Sequence, residues 1–190
     1  MNLFVKRILD IFLSLTGIII LLPFWIAIAI LIKLESPGPV LYKHLRVGKG
    51  KKEFICFKFR SMKVNSDPNK LVSDPGDNRV TTIGKYIRKT SLDETPQLIN
   101  VLLGDMSIVG PRPALPSQIK EFTEKDFDKL LVKPGLTGWT QINGRNSIPY
   151  SKRLELDCWY AKNWNLFLDL QIIFKTLFVI FKQEGIYDVK

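Results

Sequence analysis

The 190-residue chain has only one histidine and two cysteines, and these scarcities limit the chemistry that it can carry out. A single imidazole, that of His44, excludes a metal site built from several histidines. Cys56 and Cys158 lie in different segments and neither belongs to a CxxC pair, which excludes a disulfide framework. We therefore interpret both cysteines as reduced structural thiols and His44 as a surface or loop residue.

Negative charge is also scarce, because 18 Asp and Glu residues face 28 Lys and Arg residues, which gives a net charge of +10. This balance indicates an acidic partner: nucleic acid, a phosphorylated substrate or an anionic membrane surface. The aromatic residues cluster in apolar segments instead of alternating with lysines along a strand. Nucleic acid is therefore not expected among the partners.

Residues 11–32 contain no charged side chain, and at about 1.5 Å of rise per residue they are long enough to cross a bilayer as a helix. Pro23 lies near the middle, where it removes a hydrogen bond and bends the helix. Basic residues flank both ends, beginning with Lys6 and Arg7, and basic flanks belong on the cytoplasmic side. A re-entrant helix that breaks at Pro23 satisfies both signals, while a spanning helix and a buried core helix stay open as alternatives.

The rest of the sequence predicts an α+β domain that is mostly helical and contains one small β-hairpin. Alternating apolar and polar residues around a Gly-Lys-Gly turn predict the hairpin over 40–62, and a polar loop follows over 65–79. Apolar spacing predicts a helix that begins near Leu98 and ends at Gly104, and further helices over 118–131 and 150–162. The apolar segment 163–185 carries internal charges, which favours a final amphipathic helix lying in the membrane interface. We expect a membrane segment over 1–35 and a cytoplasmic catalytic domain over 36–190.

The stretch TSLDETPQLINVLLGDMSIVGPRP, residues 90–113, places Asp93 and Glu94 side by side in this basic chain. One explanation is structural, because Ser91-x-x-Glu94 has the pattern of a capping box at a helix N-terminus. The other explanation for the acidic pair is functional, because arginines around a helix N-terminus form a site for phosphates. The candidate substrate-binding cations are Lys58, Arg60, Arg88, Arg112 and Arg145.

Two carboxylates beside phosphates repel them unless a divalent cation lies between, and Mg²⁺ binds through one or two carboxylates plus phosphate oxygens. Asp93 and Glu94 are therefore candidate metal ligands as well as candidate catalytic residues. One of them could also attack phosphorus and form an acyl phosphate. Asp157, in ELDCWY, is the last candidate for the substrate site, with a structural role as the alternative.

The motifs KFRSM, TSLDETPQLINVLLGDMSIVGPRP, KPGLTGWTQINGRN and ELDCWY together resemble the bacterial sugar transferases, also called monotopic phosphoglycosyl transferases, over essentially the whole chain. The resemblance implies transfer of a sugar-1-phosphate from a UDP-sugar to undecaprenyl phosphate, with Mg²⁺ as cofactor, release of UMP and a covalent intermediate. It implies that Asp93 is the nucleophile and that Glu94 helps to place the metal or to handle protons. It also implies a helix that re-enters the cytoplasmic face of the bacterial inner membrane and breaks at Pro23.

Two other functions stay open at this point. A membrane-associated glycosyltransferase would move only the sugar from the donor and would release UDP. A non-catalytic membrane scaffold would account for the apolar segment but not for an acidic pair among arginines. The expected partners are thus a UDP-sugar, undecaprenyl phosphate and the lipid bilayer, and a homo-oligomer is kept among them.

Overall fold

A single long helix, α1 (Asn2–Glu35), precedes a small α+β domain in the computed structural model, which describes residues 2–64, 77–144 and 147–182. Pro23 lies inside α1, and the helical conformation continues through it. The predicted break is therefore not present as a non-helical segment. The expected division at residue 35 coincides with the end of α1, although α1 shares a hydrophobic core with the domain that follows.

The predicted hairpin is confirmed as strands β1 (Leu41–Val47) and β2 (Glu53–Phe59), joined by the 3₁₀ turn Lys49–Lys51. The antiparallel register pairs Tyr42 with Lys58 and Arg46 with Phe54, so these side chains share one face of the hairpin. A second pair of strands, β3 (Ser107–Val109) and β4 (Gly135–Thr137), is parallel and was not predicted. The predicted polar loop lies mostly outside the described residues.

Several helices make up most of the domain: α2 (Thr82–Lys89), α3 (Gln97–Leu103), α4 (Pro116–Ile119), α5 (Trp139–Ile142), α6 (Tyr150–Asn163) and α7 (Leu166–Lys182). The predictions for α3 and α6 are confirmed, and Gly104 ends α3 with a φ of 91°. The helix predicted over 118–131 is wrong, because α4 ends early and the 3₁₀ segment Glu124–Leu131 follows. The Asp126 carboxylate accepts hydrogen bonds from the N–H and hydroxyl of Thr123, which starts a new helical segment there.

The first turns of α1 are fastened to the domain by polar contacts. Asp10 is 5% exposed, and its carboxylate accepts hydrogen bonds from Ser107 Oγ and Ile108 N, each at 2.9 Å. The Arg7 guanidinium donates to two carbonyls in the last turn of α3 at 2.6 and 2.7 Å. Because the last carbonyls of a helix have no partner within it, Arg7 caps α3.

Lys6 joins α1 to α7 through a largely buried ion pair with Asp169. The Lys6 ammonium also donates to the carbonyl of Val109 at 3.0 Å, and the Tyr160 hydroxyl donates to the second Asp169 oxygen. The sequence predicts Lys6 and Arg7 to be charges that flank a membrane segment on its cytoplasmic side. The structure uses both inside the protein, so they no longer support the positive-inside argument.

The second half of α1 packs on α2 and β2 through one cluster of buried side chains: Ile28, Ile32, Phe59 and Ile87. Trp25 Nε1 donates to Thr95 Oγ1 at 2.9 Å, and the Glu35 carboxylate accepts from the first N–H groups of α2. The Glu35 carboxylate thus meets the positive end of the α2 dipole. Together with the contacts of Asp10 and Arg7, these contacts hold α1 against the domain from its first turns to its last.

The outward faces of α1 and α7 expose many large apolar side chains, among them Leu3, Phe4, Phe12, Ile19, Ile20, Phe24, Leu34, Phe167, Phe174 and Phe178. A monomer in water rarely exposes an apolar surface of this extent. Within the described residues, α1 is the helix long and apolar enough to cross a membrane by length and composition. This surface indicates a membrane location.

We expect Lys6→Met to destabilise the protein by about 2–4 kcal/mol, because it leaves the Asp169 carboxylate enclosed without its cation. Thermal unfolding in detergent at neutral pH measures the effect. Lys152→Met is the matched control, since it breaks an exposed ion pair with Glu155 and should leave the melting temperature unchanged. A Lys6→Met protein that melts with the wild type would mean that this pair does not hold α1 to α7.

Candidate functional site

The acidic pair lies in the 3₁₀ turn Leu92–Glu94, between α2 and α3. Ser91, just before the turn, has a φ of 57°, in the left-handed region that residues other than glycine rarely adopt. Such strained positions are found disproportionately at functional sites. The predicted capping box is wrong, because the Ser91 side chain makes no cap hydrogen bond here and the Glu94 carboxylate binds two cations instead.

Glu94 is held between a lysine and an arginine that come from different parts of the fold. Its Oε1 accepts from Lys58 Nζ of β2 at 2.6 Å and from an Arg112 guanidinium nitrogen at 2.9 Å. Burial alone would raise the pKa of Glu94, but the Arg112 and Lys58 cations outweigh it and hold that pKa well below its usual range. Glu94 is therefore ionised at neutral pH, and its charge in turn raises the pKa of Arg112.

Asp93 has the opposite environment. Its residue is 9% exposed, and within the part of the chain that the structure describes its carboxylate makes no hydrogen bond or ion pair. Burial and then the neighbouring charge of Glu94 raise the pKa of Asp93 to about 6, against the cations Lys58, Arg88 and Arg112. Two adjacent carboxyls with such different pKa values are suited to different chemical tasks.

The remaining predicted cations differ in where they lie. Arg88 is half-buried in the last turn of α2 and lowers the pKa of Asp93, so it belongs to the electrostatic surroundings of the pair. Arg145 lies outside the described residues, and its predicted role stays a prediction. Lys58, Arg88 and Arg112 are thus the predicted cations that the structure brings to the acidic pair.

Arg60 and Asp157 are engaged elsewhere. The Arg60 guanidinium, 6% exposed as a residue, donates to carbonyls at the C-terminal end of α1, including that of Ser36 at 2.8 Å. Asp157 is 3% exposed and accepts from Lys129 Nζ at 2.9 Å and Thr140 Oγ1 at 2.6 Å. These contacts join elements of the fold to one another, so the geometry favours a structural role for both residues over the predicted contact with substrate.

A cleft open to solvent adjoins the pair, and Arg46, Lys58, Gln97, Arg112 and Pro113 are among its lining residues. Arg46 and Gln97 were not predicted as site residues. A signal for Arg46 existed in the hairpin, because strand alternation and the observed register place it on the same face as Lys58. Gln97 had no such signal, since it becomes part of the cleft only through the packing of α3.

The donor set at the acidic pair fits a magnesium ion that brings ligands of its own. Within residues 2–64, 77–144 and 147–182, no group of three or more His, Cys, Asp or Glu side chains could hold a metal by itself. Mg²⁺ commonly binds one or two carboxylates and takes its other ligands from phosphates and water. Asp93 is the more available ligand of the two, because Lys58 and Arg112 already occupy the Glu94 carboxylate.

Asp93→Asn should stabilise the protein by about 2–3 kcal/mol at pH 7.5 and have little effect at pH 4. The pKa of Asp93 in the folded protein, about 6, lies above its ordinary value of 3.8. The wild type therefore loses stability as the pH rises between these two values, because Asp93 must then ionise in a buried position. The asparagine carries no such cost. Melting temperatures across this pH range test the effect, with a rise of roughly 5–10 °C expected at pH 7.5.

Glu155→Gln is the control for that measurement, because it removes a carboxylate that is exposed to solvent. Its melting temperature relative to the wild type should not change between pH 4 and pH 7.5. A stabilisation by Asp93→Asn that is the same at both pH values would contradict the raised pKa of Asp93.

Comparison with known proteins identifies the family. The family model described as bacterial sugar transferase matches residues 1–183. The undecaprenyl-phosphate galactose phosphotransferase of Salmonella typhimurium is 42% identical over 97% of this chain and 42% of its own length. The UDP-glucose:undecaprenyl-phosphate glucose-1-phosphate transferase of Escherichia coli is 41% identical over 98% of this chain and 42% of its own length. The uncharacterized sugar transferase EpsL of Bacillus subtilis is 46% identical over 90% of this chain and 82% of its own length.

The chain spans about two fifths of the length of each of the first two of these curated relatives. The shorter EpsL protein is covered over most of its length, and it too is named as a sugar transferase. The family match includes α1, the acidic pair and α6 alike. The chain therefore belongs to the bacterial sugar transferase family.

Proposed function

We propose that this protein transfers a sugar-1-phosphate from a UDP-sugar to undecaprenyl phosphate and releases UMP. The observation that carries the proposal is the contrast within the acidic pair. Glu94 is ionised between Lys58 and Arg112, whereas Asp93 is buried and unpaired among the described residues, with a pKa of about 6. The names of two relatives support the substrate class, since both contain undecaprenyl phosphate and the transfer of a sugar phosphate.

In the first step, an Asp93 carboxylate oxygen attacks the phosphorus that bears the sugar. A bond forms between that oxygen and phosphorus, and the bond to the bridging oxygen breaks, so UMP leaves with the bridging oxygen and its electron pair. Asp93 must be ionised to attack, and a pKa of about 6 leaves most of it ionised at pH 7. The transfer is thereby divided into two displacements at phosphorus, and Asp93 is the nucleophile of the first.

In the second step, a phosphate oxygen of undecaprenyl phosphate attacks the same phosphorus. The acyl phosphate bond breaks, the Asp93 carboxylate is restored and the sugar diphosphate lipid is formed. Lys58, Arg88 and Arg112 neutralise the phosphate charges in both steps, and Glu94 keeps Lys58 and Arg112 in place. When bound by Asp93 and Glu94, Mg²⁺ would supply further neutralisation of the diphosphate.

We expect purified protein with Mg²⁺, a UDP-sugar and undecaprenyl phosphate to release UMP, and Asp93→Asn to lower turnover by at least about a thousandfold. Nucleotide products are identified by chromatography over a panel of UDP-sugars. The variant should keep its membrane association and melt no lower than the wild type. Release of UDP would assign the protein to the glycosyltransferases, and wild-type turnover in Asp93→Asn would remove Asp93 as nucleophile.

We further propose that α1 enters and leaves the membrane on its cytoplasmic face. Support comes from its contacts, because Asp10 near one end binds β3 while Glu35 at the other end binds α2. A straight helix of 34 residues is about 50 Å long, so a spanning helix would carry its two ends to opposite sides of the bilayer. Pro23, which has no N–H to donate, is the position where the helix can bend.

Single cysteines test this topology. In a Cys158→Ser background, Asn2→Cys and Lys33→Cys should both react with an impermeant maleimide from the cytoplasmic side only, since both side chains are exposed near the ends of α1. Inverted vesicles and intact spheroplasts present the two sides of the membrane. Lys152→Cys is the reference for the domain, and labelling of Asn2→Cys from the other side would establish a spanning helix.

A further inference from the structure

The cleft beside the acidic pair is lined by three cations that come from three segments. Arg46 extends from β1, Lys58 from β2, and Arg112 from the segment between Pro111 and Pro113. Lys58 and Arg112 share the single negative charge of Glu94. Among the described residues that line the cleft there is no carboxylate, so the cleft carries an excess of positive charge.

Arg46 is the cation in this group with no acidic partner among the described residues. Its guanidinium donates to the Pro113 carbonyl at 3.1 Å and lies 3.3 Å from His44 Nδ1, while its buried Nε has no hydrogen-bond partner. Burial and then the charge of Arg112 lower the pKa of Arg46 to about 10, which still leaves it charged at neutral pH. A guanidinium has five donors in a planar fork, so these contacts leave donors for a ligand.

His44 holds Arg46 in place without adding a charge. Burial, followed by the charges of Arg46 and Lys58, lowers the pKa of His44 to about 4. The imidazole is therefore neutral at pH 7, and its Nδ1 can accept a hydrogen bond from Arg46. The single histidine of the chain, interpreted from the sequence as a surface or loop residue, thus orients a cation beside the acidic pair.

We propose that Arg46, together with Lys58 and Arg112, binds a substrate phosphate group in this cleft. The inference rests on the proposed function, which supplies two phosphate-bearing substrates: the nucleoside diphosphate donor and the polyprenyl phosphate acceptor. Like charges packed this closely repel one another, and a bound phosphate offsets that repulsion. The planar fork of Arg46 also matches two oxygens of one phosphate group.

Arg46→Gln is the test, in the full chain in detergent or nanodiscs with Mg²⁺. UDP affinity is measured by calorimetry, and the KM is measured for the UDP-sugar and for undecaprenyl phosphate. We expect roughly a ten- to hundredfold weakening for one of the two substrates. Weaker UDP binding with a higher KM for the UDP-sugar assigns the phosphate to the donor, and a higher KM for undecaprenyl phosphate alone assigns it to the acceptor.

Lys43→Gln is the matched control, because it removes the same charge from an exposed position on the opposite face of β1. Its substrate affinities should equal those of the wild type. A folded Arg46→Gln protein with unchanged UDP affinity and unchanged KM for both substrates would overturn the inference. If Arg46→Gln does not fold, Arg46→Lys takes its place, and unchanged affinities in that variant count equally against the guanidinium.

The binding arm separates this inference from the proposed reaction, because UDP titration involves no turnover. Wild-type protein that binds UDP through Arg46 but releases no UMP would remove the proposed reaction and leave the cleft assignment standing. Wild-type protein that releases UMP while Arg46→Gln matches it in every constant would remove the cleft assignment alone.

Discussion

The ion pairs of Glu94 with Lys58 and Arg112 are the interaction on which the site depends. They join three segments that are distant along the chain: the turn between α2 and α3, strand β2, and the proline-flanked segment after β3. Because Glu94 stays ionised, its charge helps to raise the pKa of its neighbour Asp93 to about 6. Glu94 therefore joins the segments of the site and also raises the pKa of Asp93. These two effects give the acidic pair a role in this basic chain.

The same segments are held by the two helices that expose apolar surface. Trp25 of α1 donates to Thr95, the residue after Glu94, and Lys6 of α1 donates to Val109, three residues before Arg112. Tyr160 donates to that same carbonyl and to Asp169 of α7. The apolar surfaces of α1 and α7 are thus linked through these hydrogen bonds to both sides of the acidic pair. Under the proposed function, a lipid phosphate acceptor would require this kind of link, because Asp93 would have to lie at the depth of the lipid headgroup.

The sequence predicted the elements that local chemistry decides, such as the hairpin and the end of α3 at Gly104. It was wrong where two local signals competed, since the Thr123 cap divides the helix predicted over 118–131. It left open the roles of polar side chains whose partners are distant along the chain: Glu94 was compatible with a cap as well as with catalysis, and Arg60 was compatible with a substrate site. A buried pair such as Lys6–Asp169 has no sequence signal, because only the packed fold brings its members together.

The cations at the site oppose the rise in the pKa of Asp93. Burial and the charge of Glu94 already raise its pKa to about 6, and under the proposed function phosphate oxygens brought beside it would raise that pKa further. Lys58, Arg88 and Arg112 oppose that shift, but Glu94 already offsets one of their charges. Under the proposed function, a site that must keep Asp93 ionised while negatively charged substrates bind needs an excess of positive charge. Arg46, in the adjoining cleft, adds a positive charge that has no acidic partner among the described residues.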